Sequence, residues 1–150
     1  MRKTCVINTL PFPVNPISKW SKKLPRLLGD LNPIWWLQGG GSAIDMGKAL
    51  AAGLPNQGNL YDYVEVVGRN VPLKAKPLPF IAIPTTASTG AEVTKNAVLK
   101  SGQDQVKISL RSPDMLADVA IVDPTLTYGT NLYLSGRGAM DAFTLSLIHI

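Results

Sequence analysis

Cysteine is nearly missing from this chain: Cys5 stands alone among 150 residues, and histidine is equally scarce, with only His149. A single cysteine excludes an internal disulfide and a cysteine metal cluster, so the sequence suits a reducing compartment, and any metal must be held by oxygen or imidazole. Long apolar runs are lacking too. The longest, such as residues 79–84 and 119–122, fall far short of the roughly 20 residues that a membrane-spanning helix needs. Charge of one sign is confined to the start, where Arg2, Lys3, Lys19, Lys22, Lys23 and Arg26 precede the first acid, Asp30. From Asp30 onward nine basic residues face ten acidic ones, without the basic clustering around aromatics that marks nucleic-acid binders. Pro11, Pro13, Pro16 and Pro25 interrupt any long basic targeting helix. The expectations are therefore a cytoplasmic protein with neither a nucleic-acid nor a membrane partner.

What is present is a globular composition, 45% hydrophobic and 17% charged, in a length that suits one ordinary domain with a core of its own. Three short apolar runs, residues 34–37, 80–83 and 119–122, each lead into a turn-rich or helical stretch. They read as buried strands covered on both faces, as in a parallel sheet. After the first, residues 42–52 place Ile44, Gly47, Leu50 and Ala51 on one face at helical spacing, and Gly53 with Pro55 ends the helix. Residues 55–79, with four prolines and two glycines, predict a surface connection holding a strand or helical turn at 61–67. Two strand-like pieces flank Ser101-Gly102-Gln103-Asp104, and in the second Val106, Ile108 and Leu110 alternate with Lys107, Ser109 and Arg111. That pattern predicts a β-hairpin. The fold class is α/β: a Rossmann-like parallel sheet with a late hairpin.

Gly39-Gly40-Gly41-Ser42-Ala43-Ile44-Asp45 sits between a buried strand and the helix it opens. Glycines without side chains let a phosphate approach the backbone, and first-turn N–H groups with the helix dipole supply positive potential for it. A plain tight turn uses the same residues. Ser42 and Asp45 are also spaced as a capping box, which gives Asp45 a structural role as open to it as a functional one. The second element, residues 84–94, follows another buried strand and carries five hydroxyls that suit a polyhydroxylated cofactor or simply cap their own turns. Adjacent Trp35 and Trp36 face opposite sides of a strand and both need cover; stacking on an adenine is the functional alternative.

Several blocks in order resemble the iron-containing, or group III, alcohol dehydrogenases of the dehydroquinate synthase-like superfamily. Residues 39–48 are similar to the family's GGGSxxDxxK segment, 83–94 to IPTTAGTGSEVT, 107–127 to K-x-S-x-R-S-P…DP-x-LT, and 138–144 to the GxDALT that opens its helical domain. The resemblance runs from about residue 12 to 144. It implies that Gly39, Gly40, Gly41 and Ser42 hold the pyrophosphate of NAD or NADP, with Asp45 close by. It also implies that Thr85, Thr86 and Thr89 line the cofactor's phosphate and ribose, with Thr94, Asn96, Lys107 and Leu126 at the nicotinamide end. Without it, Lys107 would read as a solvent-facing strand lysine. Asp141 would be the first ligand of an Fe²⁺ or Zn²⁺ ion that polarises the alcohol oxygen.

The implied activity is hydride transfer between a small alcohol or aldehyde and the nicotinamide, with a homodimer among the expected assemblies. Alternatives are a related enzyme such as glycerol dehydrogenase, maleylacetate reductase or dehydroquinate synthase, or a non-catalytic nucleotide-binding fragment. The resemblance divides the chain into a partial dinucleotide-binding domain at 1–127, a junction opening a helical metal-binding domain at 128–144, and a tail at 145–150. That tail resembles the translation of a transposase sequencing adapter, so the expectation is an inactive fragment shortened at both ends, its native frame closing at Thr144. In the family a histidine stands one helical turn after the aspartate; here Leu145 occupies that place, and His149 lies at the wrong spacing to replace it.

Overall fold

The computed structural model describes residues 5–8, 35–102 and 104–147. Four parallel strands form the main sheet: β1 (Cys5–Asn8), β2 (Trp35–Gly39), β3 (Phe80–Pro84) and β6 (Val119–Val122), in the order β1-β6-β3-β2. Between β3 and β6 the chain leaves the sheet to make a separate antiparallel hairpin, β4 (Asn96–Lys100) with β5 (Lys107–Arg111). Helix α1 (Gly41–Gly53) joins β2 to β3, and α2 (Leu132–Leu147) follows β6. This is the expected α/β architecture, hairpin included. The segment 9–34, with Trp20, lies outside the described residues, as do the side chains of Trp35 and Trp36 and the end of the tail.

The centre of the sheet explains its unbroken apolar sequence. Every residue of β3 is buried, because helix α1 covers one face and a second apolar layer the other. Phe80 and Ala82 pack with Ile44 and Ala51 of α1, whereas Ile81 and Ile83 turn to the opposite face and meet Ile121. The alternation of side chains along a strand makes both layers from one five-residue run. Helix and sheet approach closely at Gly47, where an added Cβ would stand 2.7 Å from the Phe80 ring.

Four local expectations are corrected. Strand β2 runs to Gly39, two residues beyond the apolar run, because Gln38 and Gly39 stay in register with Ile83 and Pro84. The capping box between Ser42 and Asp45 does not form: Gly40 is the N-cap, so Ser42 already lies inside the helix. Leu50 is exposed, and Lys48 takes a buried place on the helix face instead. The stretch at 55–79 is more than a surface connection. Its Tyr63 and Val64 are buried against Ala97, Leu99, Ile108 and Leu110, since the apolar side of the hairpin needs a cover that the main sheet does not provide.

Candidate functional site

Strands β2 and β3 run parallel and end side by side, Gly39 opposite Pro84. Their following segments therefore leave the sheet from the same edge, at the carboxyl ends of the strands, where open parallel sheets bind ligands. The Thr85 N–H donates to the Gly39 carbonyl at 3.0 Å, extending the ladder one step and holding the two segments together. A Cβ on Gly40 would lie 3.4 Å from Thr86 Oγ1. The glycine turn and the threonine-bearing loop are thus in direct apposition.

Each glycine here has a distinct reason. At Gly39 a Cβ would stand 2.6 Å from the Ala43 Cβ, so the turn itself excludes a side chain. At Gly41 the nearest atom to an added Cβ is the Ala91 Cβ at 3.8 Å, ordinary contact distance, which leaves room for a ligand against the backbone. The carbonyl of Gly40 accepts from Ala43 and Ile44, the first bonds of the helix. The N–H groups of Gly41 and Ser42 precede them and have no intrahelical acceptor. They point their dipoles, together with that of a 13-residue helix, toward the space ahead of the turn.

That space is a cavity of about 630 Å³ whose wall includes Gly41, Ser42 and Asp45 of α1, Thr86, Ser88 and Thr89 of the loop after β3, Lys107 of the hairpin and Asp141 of α2. The structure therefore brings together Gly41, Ser42, Asp45, Thr86, Thr89, Lys107 and Asp141 from the sequence-derived set. Gly39, Gly40 and Thr85 form the turn and ladder behind them. Thr94 and Asn96 lie one layer deeper, bonded to Lys48. Leu126 packs against the Ile81, Ile83 and Ile121 cluster.

Lys48, the last residue of the segment that resembles GGGSxxDxxK, was assigned no role by the sequence. Its ammonium is buried and donates to Thr94 O at 3.0 Å, Thr94 Oγ1 at 2.9 Å and Asn96 O at 2.9 Å, which uses all three of its donors. The Thr94 hydroxyl in turn donates a hydrogen bond to the Ala91 carbonyl at 3.1 Å. Burial lowers the pKa of Lys48 below its ordinary value, and the Asp45 carboxylate, 3.6 Å away, opposes that shift, with Glu92 adding to the opposition. The signal was present: Lys48 follows Ile44 by four residues, on the same face of the helix.

Both implied ligands can be set against these residues. The open backbone at Gly41, the two free helix donors and the nearby hydroxyls fit a dinucleotide's phosphates. For a metal ion, Asp141 offers one hard oxygen, yet among the described residues no three His, Cys, Asp or Glu side chains converge on a point. The described residues therefore do not fit a resident ion by themselves. Among the same residues no helix is long and apolar enough to cross a membrane.

Known proteins match this arrangement. The chain is 41% identical over 106 residues to long-chain-alcohol dehydrogenase 1 of Geobacillus thermodenitrificans, covering 71% of this chain and 26% of that protein. It is 37% identical, over the same shares, to the 1,3-propanediol dehydrogenase of Klebsiella pneumoniae. The chain thus spans about a quarter of the length of the curated relatives it matches. Among solved structures, the NADH-dependent butanol dehydrogenase A of Thermotoga maritima superposes with a TM-score of 0.68 at 30% identity, over 75% of this chain and 27% of that one. Sulfoacetaldehyde reductase of Bifidobacterium kashiwanohense, solved in complex with NAD⁺, gives 0.65 at 33% identity, over 82% and 31%. The family model for iron-containing alcohol dehydrogenases matches residues 38–124, more than half of the chain and all of the segment that builds the glycine turn, the threonine loop and the hairpin, so the chain belongs to the iron-containing alcohol dehydrogenase family.

Proposed function

We propose that these residues are the dinucleotide-binding part of an NAD(P)-dependent dehydrogenase that moves hydride between a small alcohol and the corresponding aldehyde, in the cytoplasm and as a homodimer. The observation that carries this reading is the convergence of the α1 N-terminus, Thr86, Thr89 and Lys107 on one cavity. Gly41 and Ser42 N–H groups would receive a phosphate, and their fixed orientation costs no rearrangement on binding. The Thr86 and Thr89 hydroxyls both donate and accept, as phosphate and ribose oxygens together require. Lys107, exposed on the hairpin, would add a cation toward the nicotinamide end of the negatively charged cofactor. The bound nicotinamide supplies the hydride acceptor.

Asp141 and the exposed Leu132, Tyr133, Met140 and Phe143 of α2 support the further reading that this helix opens a helical, metal-holding domain in the whole protein. That domain would supply the remaining ligands of an iron or zinc ion. The second reading, a nucleotide-binding unit without turnover, is favoured for the described residues on their own by the lack of a metal-donor group among them. NADH titrated into the purified chain tests the shared core of both. Enhanced, saturable nicotinamide fluorescence is expected, and its absence at millimolar NADH rejects the cofactor reading.

A further inference from the structure

The hairpin that carries Lys107 is not part of the main sheet, so something else must hold it over the cavity. Helix α1 does so with two side chains one turn apart. Lys48 binds the Thr94 carbonyl and hydroxyl and the Asn96 carbonyl. Asp45 accepts from the Val98 N–H at 3.2 Å and lies 3.6 Å from the Lys48 ammonium. Residues 96 and 98 are alternate positions on one edge of β4, Thr94 stands just before the strand, and all three are engaged. Opposite charges grip opposite backbone groups: the cation takes carbonyls and the anion takes an amide.

We infer that Lys48, paired with Asp45, is a positioning residue that fixes the Thr94–Val98 edge and hence sets the nicotinamide end of the cofactor site. This deepens the dinucleotide reading and rests on it. Lys48 lies behind the wall and touches no ligand. Its effect would pass through Thr94 and Asn96, and through the register that brings Lys107, paired with Lys100 across the hairpin, to the cavity. The phosphate end is built separately, by the α1 N-terminus and the loop after β3. Loss of Lys48 should therefore be felt at one end of the ligand only.

The test compares NADH with ADP-ribose, which keeps the diphosphate and lacks the nicotinamide, on the full chain and on its Lys48→Met variant. The expected result is an NADH dissociation constant raised about tenfold with ADP-ribose affinity within twofold of wild type, and faster amide exchange at Val98. Equal weakening of both ligands would mean a merely structural lysine, and unchanged NADH affinity would remove any role; either overturns the inference. Should Lys48→Met fail to fold, Thr94→Val, which deletes one of the three acceptors, decides: about a threefold loss for NADH alone supports positioning, and no loss overturns it. A wild-type chain that binds neither ligand would instead refute the cofactor reading, and the positioning role with it.

Discussion

The hydroxyl of Ser88 donates to the carboxylate of Asp141 across 3.3 Å, tying the loop after β3 to the middle of helix α2. The contact is supported one turn earlier, where Gly138 brings the helix backbone against the Ala87 carbonyl. The family segment that residues 83–94 resemble has glycine at the place of Ser88, so the donor to Asp141 is a feature of this chain. The loop is thus bonded at both ends, through Thr85 to the glycine turn and through Ser88 to α2.

Gly138 gives the sharpest stability prediction. A Cβ there would lie 2.3 Å from the Ala87 oxygen, a distance that backbone atoms cannot tolerate. Alanine gains up to about 1 kcal/mol of helix propensity over glycine, whereas overpacking costs about 1–3 kcal/mol. Gly138→Ala should lower the melting temperature by several degrees. A variant as stable as wild type, with its Ser88 signals unshifted by NMR, would contradict this docking.

Gly41→Asp separates binding from folding. The position has room for a side chain, and an acid in the first turn of a helix is favourable by roughly 0.3–1 kcal/mol. The same carboxylate would repel a phosphate from the donors meant to receive it. Unchanged or higher thermal stability and at least a tenfold loss of NADH affinity are expected. NADH binding that survives the substitution would place the phosphates elsewhere.

Lys107 is exposed, so its attraction for the cofactor is screened by solvent and salt. Lys107→Ala should weaken NADH binding only about two- to fivefold, in line with an exposed pair worth up to about 1 kcal/mol. Affinity measured against salt concentration should fall less steeply in the variant than in wild type. Identical slopes would show that this ammonium does not face the ligand.

The buried Lys48 has a defined signature in pH. Burial holds its pKa below the ordinary 10.5, so between the lowered value and 10.5 the unfolded chain binds more protons than the folded one. Stability therefore rises with pH across that window, because the burial cost is present in full below it and vanishes above it. Denaturant unfolding from about pH 8 to 11, compared between wild type and Lys48→Met, should show wild type gaining on the variant as pH rises. Parallel curves, or a gap moving the other way, would contradict the charged buried state.

The elements most legible in the sequence were those made by local rules. The three strands came from unbroken apolar runs, although only β3 is buried throughout, β2 lying at the sheet edge with Leu37–Gly39 half-buried, and the hairpin came from Ile108 and Leu110 alternating with polar neighbours. Helix α1 was delimited by its glycines and Pro55. Leu50 was misjudged for being apolar, and Lys48 was given no place on the buried face, because helical spacing identifies a face and not what covers it. Tyr63 and Val64 were hidden among prolines and glycines, since their partners lie on a hairpin more than thirty residues away.

The residue order alone determined the strand–turn–helix at Gly39–Ser42, the hydroxyl-bearing loop and the lack of cysteine ligands, for these depend on neighbours in the chain. Only the tertiary structure decided that the two loops share an edge, that Asp45 serves Val98 and Lys48 instead of a capping box, and that Asp141 bonds to Ser88. Those outcomes depend on which distant groups are brought within hydrogen-bond range. A buried ammonium or carboxylate takes whichever partners the packed strands present to it.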